Sequence, residues 1–298
     1  MKPKRPVSVF RYLNDQPYLG ANRVTLYNSV KGSLGFVQRL GLLKELPVHH
    51  GCVNCICWSD SGDLLLSGSD DQRLVITNAH SLKEVTDYKT SHRANIFSAK
   101  FLPNSGDHNI VSCSGDGIIL FTDLTRTSDI HTNQFNCHTG TTYDVTTVPG
   151  EPYTFLSCGE DSTVRCFDLR IKESCYRMDC TEDVLISCQR AVTALTVNST
   201  APHELAIGSS DSTVRIFDRR NLGTKSSGYS KASCVRPMMS LAAPGLEGRS
   251  FRITSLAYSP EGHEILVSYS SEHLYLFSCR DQSCTTLEPS LEEEDEED

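Results

Sequence analysis

Between residues 50 and 280 the chain runs in short bursts of alternating apolar and polar side chains, broken by small and acidic residues. A period of two is the pattern of a strand with one face buried. The bursts recur as a two-part unit. An apolar triplet at spacing i, i+3, i+5 reads Val53-Ile56-Trp58, Ile96-Ala99-Phe101, Tyr143-Thr146-Val148, Val192-Leu195-Val197 and Ile253-Leu256-Tyr258. A second block follows each triplet: SGSDDQRLVITN at Ser67 to Asn78, SCSGDGIILFTD at Ser112 to Asp123, SCGEDSTVRCFD at Ser157 to Asp168, IGSSDSTVRIFD at Ile207 to Asp218 and VSYSSEHLYLFS at Val267 to Ser278. The blocks align without gaps. One turn position holds Asp71, Asp116, Asp161, Asp211 and Ser271, in steps of 45, 45, 50 and 60 residues.

Each unit predicts a strand, a turn, a second strand, a tight turn and a third strand, with room for a fourth in the variable stretch that follows. Four-stranded units of about 40 to 50 residues are the signature of a β-propeller. The expected class is all-β, with five blades. Seven blades are commoner than five, so the sequence reads as an incomplete seven-bladed plan, its remaining blades expected beyond residue 298 in a longer product. The expected organisation is an amino-terminal segment over 1–47, blades over 48–287 and an acidic tail over 288–298. Leu40 to Val48 offers an outer strand for a terminal blade. The gap at 221–250, with Gly223, Ser226, Ser227, Gly228, Pro237, Pro244, Gly245 and Gly248, predicts a mobile loop.

Before the first unit, Phe36, Leu40 and Leu43 are spaced by four and three within Ser33–Lys44. That spacing predicts a short amphipathic helix capped by Ser33, weakened by Gly35 and Gly41 and suited to docking.

The residues of the repeats resemble the WD-repeat family. His50-Gly51, His92 and His138 match its histidine near the start of a repeat. The Trp-Asp dipeptide is degenerate, as Thr77-Asn78, Thr122-Asp123, Phe167-Asp168, Phe217-Asp218 and Phe277-Ser278. The trio His92, Ser112 and Asp116 has the composition of a hydrolase triad. The same trio recurs as His50, Ser67, Asp71 and as His138, Ser157, Asp161, and catalysis needs one activated nucleophile, not one per repeat. The resemblance implies instead a buried hydrogen-bond network that ties each turn to its neighbouring strand. Asp211 belongs to the same set, with Arg190 near the histidine position of its unit and Arg252 near that of the fifth.

Charge narrows the partners. The net charge is −9, but the last seven residues, Glu292 to Asp298, are all acidic, which leaves the body near neutral. A basic nucleic-acid surface is not expected. Apolar residues are 38% of the chain and no run of about 18 of them occurs, so no membrane helix is expected. Met1-Lys2-Pro3-Lys4-Arg5-Pro6 has no apolar stretch behind it and is not a secretory signal. The 13 cysteines are expected to stay reduced. Cys52, Cys55 and Cys57 come nearest to a metal pattern, but no second cluster completes it, and Cys55 and Cys57 read as strand residues. No phosphate loop, metal set, cofactor site or unique nucleophile points to an enzyme.

The third and fourth units end in Phe167-Asp168-Leu169-Arg170 and Phe217-Asp218-Arg219-Arg220. An aromatic-Asp-x-Arg ending in consecutive repeats resembles the box of the WD-repeat substrate receptors of cullin-4 RING ubiquitin ligases. Phe36 to Leu40, His50 to Asn54, Ser91 to Pro103, Tyr153 to Asp161 and Glu264 to Ser271 resemble the amino-terminal half of a nuclear-receptor-interacting branch of that family. The resemblance implies a non-enzymatic scaffold whose box arginines, Arg170 and Arg220, face the damaged-DNA-binding adaptor subunit, with Phe167, Asp168, Phe217 and Asp218 beside them. The helix face of Phe36, Leu40 and Leu43 is expected to engage the same subunit. It also implies an unidentified protein substrate, steroid nuclear receptors as further partners, and residence in nucleus and cytoplasm. There is no calmodulin-binding IQ motif and no L-x-x-L-L motif, so a receptor contact uses another surface. A general scaffold in transcription or RNA processing is the alternative.

Overall fold

The computed structural model describes residues 34–125, 131–177, 180–225, 236–244, 250–270 and 273–287. Ser33, Ser271, the tail from Glu288 and parts of the 221–250 gap (226–235 and 245–249) lie outside the described residues. Contacts divide the chain between Pro47 and Val48.

The second unit is built of five four-stranded antiparallel sheets. Blade 1 is β1 (Val53–Trp58), β2 (Leu64–Ser69), β3 (Arg73–Asn78) and β4 (Lys83–Lys89). Blade 2 is β5 (Ile96–Phe101), β6 (Asn109–Ser114), β7 (Ile119–Asp123) and β8 (His131–Phe135). Blade 3 is β9 (Thr142–Thr147), β10 (Thr154–Gly159), β11 (Thr163–Asp168) and β12 (Val184–Ser187). Blade 4 is β13 (Val192–Val197), β14 (Glu204–Ser209), β15 (Thr213–Asp218) and β16 (Met239–Ala242). Blade 5 is β17 (Ile253–Tyr258), β18 (Glu264–Tyr269), β19 (Leu274–Ser278) and β20 (Cys284–Leu287). In every blade the strands pair in chain order, as local hairpins dictate.

One apolar core lies between each consecutive pair of blades. Leu66, Leu74 and Ile76 of blade 1 meet Ile96, Ala99 and Phe101 of blade 2. Val111, Ile119 and Phe135 of blade 2 meet Val145, Phe155 and Phe167 of blade 3. There the three phenylalanine rings stand 5.0 to 5.7 Å apart. Leu156 and Val164 meet Val192, Leu195 and Phe217, and Val214 and Ile216 meet Ile253, Ile265 and Val267. The second strands of the middle blades are therefore buried on both faces, which makes their runs nearly all apolar or small.

The inner strands share one irregularity. Each of β1, β5, β9, β13 and β17 shifts register near its start, at the same place in the repeat. A bulge re-aims a side chain, and here it aims polar groups at the next blade. Asn54 donates to the Ile96 carbonyl at 2.9 Å, Ser98 to that of Val145 at 3.3 Å and Thr193 to that of Ile253. Asp144 accepts from the Leu195 amide at 3.0 Å. Burial raises the Asp144 carboxyl above its usual range.

The register corrects two expectations. In blade 3 the counterparts of Ile96 and Ala99 are Thr142 and Val145, not Tyr143 and Thr146, because Thr142 pairs with Gly159 as Ile96 pairs with Ser114. A polar residue at the first triplet position hides the register in the sequence. Residues 40–48 form no strand, and blades 1 and 5 carry fourth strands of their own.

In the first unit the helix is a single turn, α1 (Leu34–Val37), closed by amides of Arg39 and Leu40 bonding back to Phe36 and Val37. The amphipathic helix over 33–44 is thus shorter than the spacing predicts. Gly35 and Gly41 raise the cost of helical backbone, and so short a helix gains little from cooperativity. Phe36, Leu40 and Leu43 are exposed, Leu43 to 84%.

Candidate functional site

At the tight turn between second and third strands, the aspartate accepts the amide two residues on. Asp71 takes that of Arg73 at 3.0 Å, Asp116 that of Ile118 at 3.0 Å, Asp161 that of Thr163 at 3.1 Å and Asp211 that of Thr213 at 3.1 Å. The intervening residue has positive φ in each case: Gln72, Gly117, Ser162 and Ser212. The side-chain bond supports a conformation that L-residues otherwise avoid.

A histidine reaches this turn in three blades. In blade 3, His138 Nδ1 donates to Asp161 at 3.0 Å and Nε2 accepts from Ser157 Oγ at 2.7 Å. In blade 2, His92 Nε2 lies 3.0 Å from Ser112, while Nδ1 stands 3.5 Å from Asp116, at ion-pair range. In blade 1 the contact is made by His49, not His50: His49 lies 3.0 Å from Asp71 and 2.8 Å from Ser67. His50 is exposed and gives only its amide, at 3.1 Å from Asp71. Two adjacent histidines allow either register in a sequence, and only pairing with the turn selects one.

Blade 4 makes the same clamp with different chemistry. Arg215 bonds Asp211 and donates to Ser209 at 3.0 Å, whereas Arg190 is exposed. Arg252 lies over the Tyr143 ring, 4.2 Å from its centroid. Burial works to raise the Asp161 carboxyl, but His138 and Thr163 outweigh it and hold it well below the usual range. Burial lowers His138 below its ordinary 6.5, against the pull of Asp161, so its imidazole is neutral. The His138 side chain and Ser157 are at 0% exposure. No substrate reaches them, and the trio serves the turn.

The arginine box has a second geometry, repeated in adjacent blades. Arg170 Nε donates to Asp168 Oδ1 at 2.9 Å and Nη2 to Oδ2 at 2.5 Å. Arg220 makes the same fork on Asp218, at 3.0 and 2.8 Å. The Arg170 and Arg220 side chains are 65% and 66% exposed. Arg220 holds the Asp218 carboxyl down at about 2, and Arg170 lowers that of Asp168. Phe167 and Phe217 are buried, at 1% and 3%, so they anchor the turn and present nothing to a partner. That removes both from the expected contact set. In blade 5, Ser278 replaces the aspartate, and Arg280 turns to His263 instead.

Between the two forks runs a groove lined by Asp168, Arg170, Lys172, Arg219 and Leu222, continued by a hollow of Glu151, Pro202, His203, Arg219 and Arg220. Arg219 bridges to Glu151 at 3.4 Å. Tyr153, 49% exposed, sits under Arg170 at 5.8 Å, and Ile171 is 61% exposed beside it. A forked pair of arginines beside an aromatic and an aliphatic side chain has the composition of an interaction hot spot.

The cysteines Cys52, Cys55 and Cys57 do not gather into a ligand set; Cys52 is exposed and burial pushes the Cys55 thiol up to about 12. Among the described residues one such group exists, Cys137, Cys175, Cys180 and Asp183. The sequence reading missed it because its members lie on two loops and contain no CxxC pair.

Five four-stranded blades, clamped turns and degenerate repeat endings define a WD-repeat propeller, and the chain belongs to the WD-repeat proteins. The family model for the WD domain, G-beta repeat, matches residues 41–78 and 129–168. The chain is 53% identical over 271 residues, 89% of its length, to DDB1- and CUL4-associated factor 6 of mouse and of human, and covers 31% of either protein. It is 35% identical over 267 residues to human WD and tetratricopeptide repeats protein 1, with 81% of this chain and 39% of that protein covered. The match to Protein ALTERED SEED GERMINATION 2 of Arabidopsis thaliana is 32% over 279 residues, covering 84% and 37%. The chain thus spans about a third of the length of these curated relatives. A chain in the crystal structure of the mitotic checkpoint complex superposes with a TM-score of 0.59 at 18% identity, over 80% of this chain and 64% of that one, which shows the fold alone.

Proposed function

We propose that this chain is the propeller of a substrate receptor for a cullin-4 RING ubiquitin ligase, and that the Asp168–Arg170 and Asp218–Arg220 forks face the adaptor DDB1. The observation that supports this reading is the 53% identity, across 89% of the chain, to proteins named for association with DDB1 and CUL4. The forks add a physical rationale. Each aspartate pairs with its arginine through a two-point fork, which favours one orientation before binding, and the guanidinium keeps unused donors for carbonyls or carboxylates of a partner. The role is binding, not catalysis: the propeller brings an unidentified protein substrate to the ligase on loops away from the forks.

The test is co-purification of the full chain with DDB1, for wild type and for the double variant Arg170→Ala, Arg220→Ala. At least a ten-fold loss of affinity is expected, with an unchanged thermal melt because both side chains are exposed. Unchanged recovery takes the forks out of the interface. Wild-type purification that returns chromatin or RNA-processing factors and no cullin component supports the general scaffold instead. The same reading proposes steroid nuclear receptors as further partners and residence in both nucleus and cytoplasm. Binding of a hormone-loaded receptor domain, and fractionation of the tagged chain, test these two points.

A further inference from the structure

Four buried side chains with no part in the turn clamps or the forks meet where blades 2 and 3 join. Cys137 follows β8, the outer strand of blade 2. Cys175, Cys180 and Asp183 lie on the long connection from β11 to β12 in blade 3. Their exposures are 0%, 4%, 4% and 3%. One candidate ligand atom from each falls within 4.8 Å of all the others. The Cys180 and Cys137 sulfurs stand 3.5 and 3.9 Å from Asp183 Oδ2.

A tetrahedral zinc ion with bonds of about 2.0 to 2.3 Å sets its ligand atoms about 3.5 to 3.8 Å apart. The cluster is therefore within about an ångström of closing on one. Three soft sulfurs with one oxygen, four donors in all, suit zinc rather than calcium or magnesium.

We propose that Cys137, Cys175, Cys180 and Asp183 bind one structural zinc ion that fastens the 169–183 connection to the outer edge of blade 2. On binding, each thiol releases its proton to solvent, and Asp183 supplies a carboxylate oxygen as the fourth ligand. Three thiolates and a carboxylate overcompensate a divalent ion by two charges. Lys172 stands ready to offset one of these, with Nζ 2.9 Å from Asp183 Oδ2 and 3.4 Å from Cys180 Sγ. Backbone bonds place the ligands without the ion. Cys175 pairs with Phe135 as a parallel bridge, donating to the Gln134 carbonyl at 2.9 Å and accepting from Asn136 at 2.7 Å. Arg165 bonds the Cys180 carbonyl, and the Asp183 carbonyl accepts the Cys166 amide at 2.9 Å. Because Ile171 and Lys172 belong to this connection, the ion would also stiffen one wall of the groove beside Arg170.

The test uses the full chain purified under reducing conditions with zinc present. Elemental analysis should give one zinc per chain, and exchange with Co²⁺ should give a thiolate-to-cobalt charge-transfer band of three-thiolate intensity. Chelation should lower Tm by at least about 5 °C and open the connection to limited proteolysis. Cys175→Ser should lose the metal, while Cys57→Ser should keep it. Should Cys175→Ser fail to fold, the cobalt spectrum of the wild-type chain decides. Trace metal only, with no charge-transfer band from a folded chain, overturns the proposal and leaves Lys172 as the cation of the cluster. A Cys137–Cys175 disulfide in the reduced preparation overturns it as well.

Discussion

Blades 1 and 2 are built from the same repeat, yet the same positions meet opposite environments. In β5, Ile96, Ala99 and Phe101 are buried to 0%, 1% and 6%. Their counterparts in β1, Val53, Ile56 and Trp58, are exposed to 49%, 62% and 57%. The pairings are equivalent, Phe101 against Ile110 and Trp58 against Leu65, so sheet geometry does not explain the difference. What differs is the neighbour: β5 lies against blade 1, whereas no blade among the described residues covers β1. Blade 5 shows the complementary edge, where β18 alternates buried and exposed residues and Leu266 is 37% exposed. An apolar triplet of this kind is a blade-to-blade contact written into the chain, and a bare one is surface of the sort that partners cover.

The largest expected effect lies on the covered side. Phe101→Ala should destabilise the fold by about 3–5 kcal/mol, from lost burial plus a cavity the two blades cannot collapse. Denaturant melts followed by circular dichroism measure it. A loss below about 1 kcal/mol would mean that the core between blades 1 and 2 is loosely packed, and the contrast with Trp58 would lapse.

The comparison also shows what a sequence can carry. The apolar triplets, the turn aspartates at fixed steps and the two Asp-x-Arg endings are local patterns, and local patterns survive in one dimension. Four features are not local. The choice of His49 over His50 depends on which imidazole meets Ser67 across the sheet. The blade 3 triplet is displaced by one because Thr142 is polar yet buried. The thiol group of Cys137 with Cys175, Cys180 and Asp183 exists only where two loops of different blades meet. The burial of Phe167 and Phe217 belongs here too, since an aromatic beside an exposed Asp-Arg pair reads equally well as anchor or as contact.

A middle-sized effect distinguishes the clamps of blades 3 and 4. His138→Ala removes a buried partner from both Asp161 and Ser157 and should cost about 1–3 kcal/mol near neutral pH. Its pH dependence carries the signature. The folded chain holds His138 neutral below its ordinary 6.5, so the unfolded chain binds the extra proton. Stability is full above that value and falls as the pH drops through it, and the depressed Asp161 carboxyl adds a second loss below 3.8. His138→Ala should flatten the first of these two phases. Arg215→Ala in blade 4 should weaken the fold without altering that phase, since arginine does not titrate there. Identical pH profiles for wild type and His138→Ala would show that the folded and unfolded chains bind the His138 proton alike, and would overturn the assigned burial effect.

The smallest effect is the most telling for the bare edge. Trp58→Ala should shift stability by no more than about 0.5 kcal/mol, although the same change of aromatic to alanine at Phe101 removes several. Trp58 is the single tryptophan of the chain, so its fluorescence reports on this face alone. At 57% exposure its emission should already lie to the red in the folded chain and move little on unfolding. A folded-state emission to the blue, or a loss above about 2 kcal/mol on Trp58→Ala, would mean that something covers β1 in solution. Dilution then separates a second copy, whose cover is lost at low concentration, from a segment of the same chain, whose cover is not.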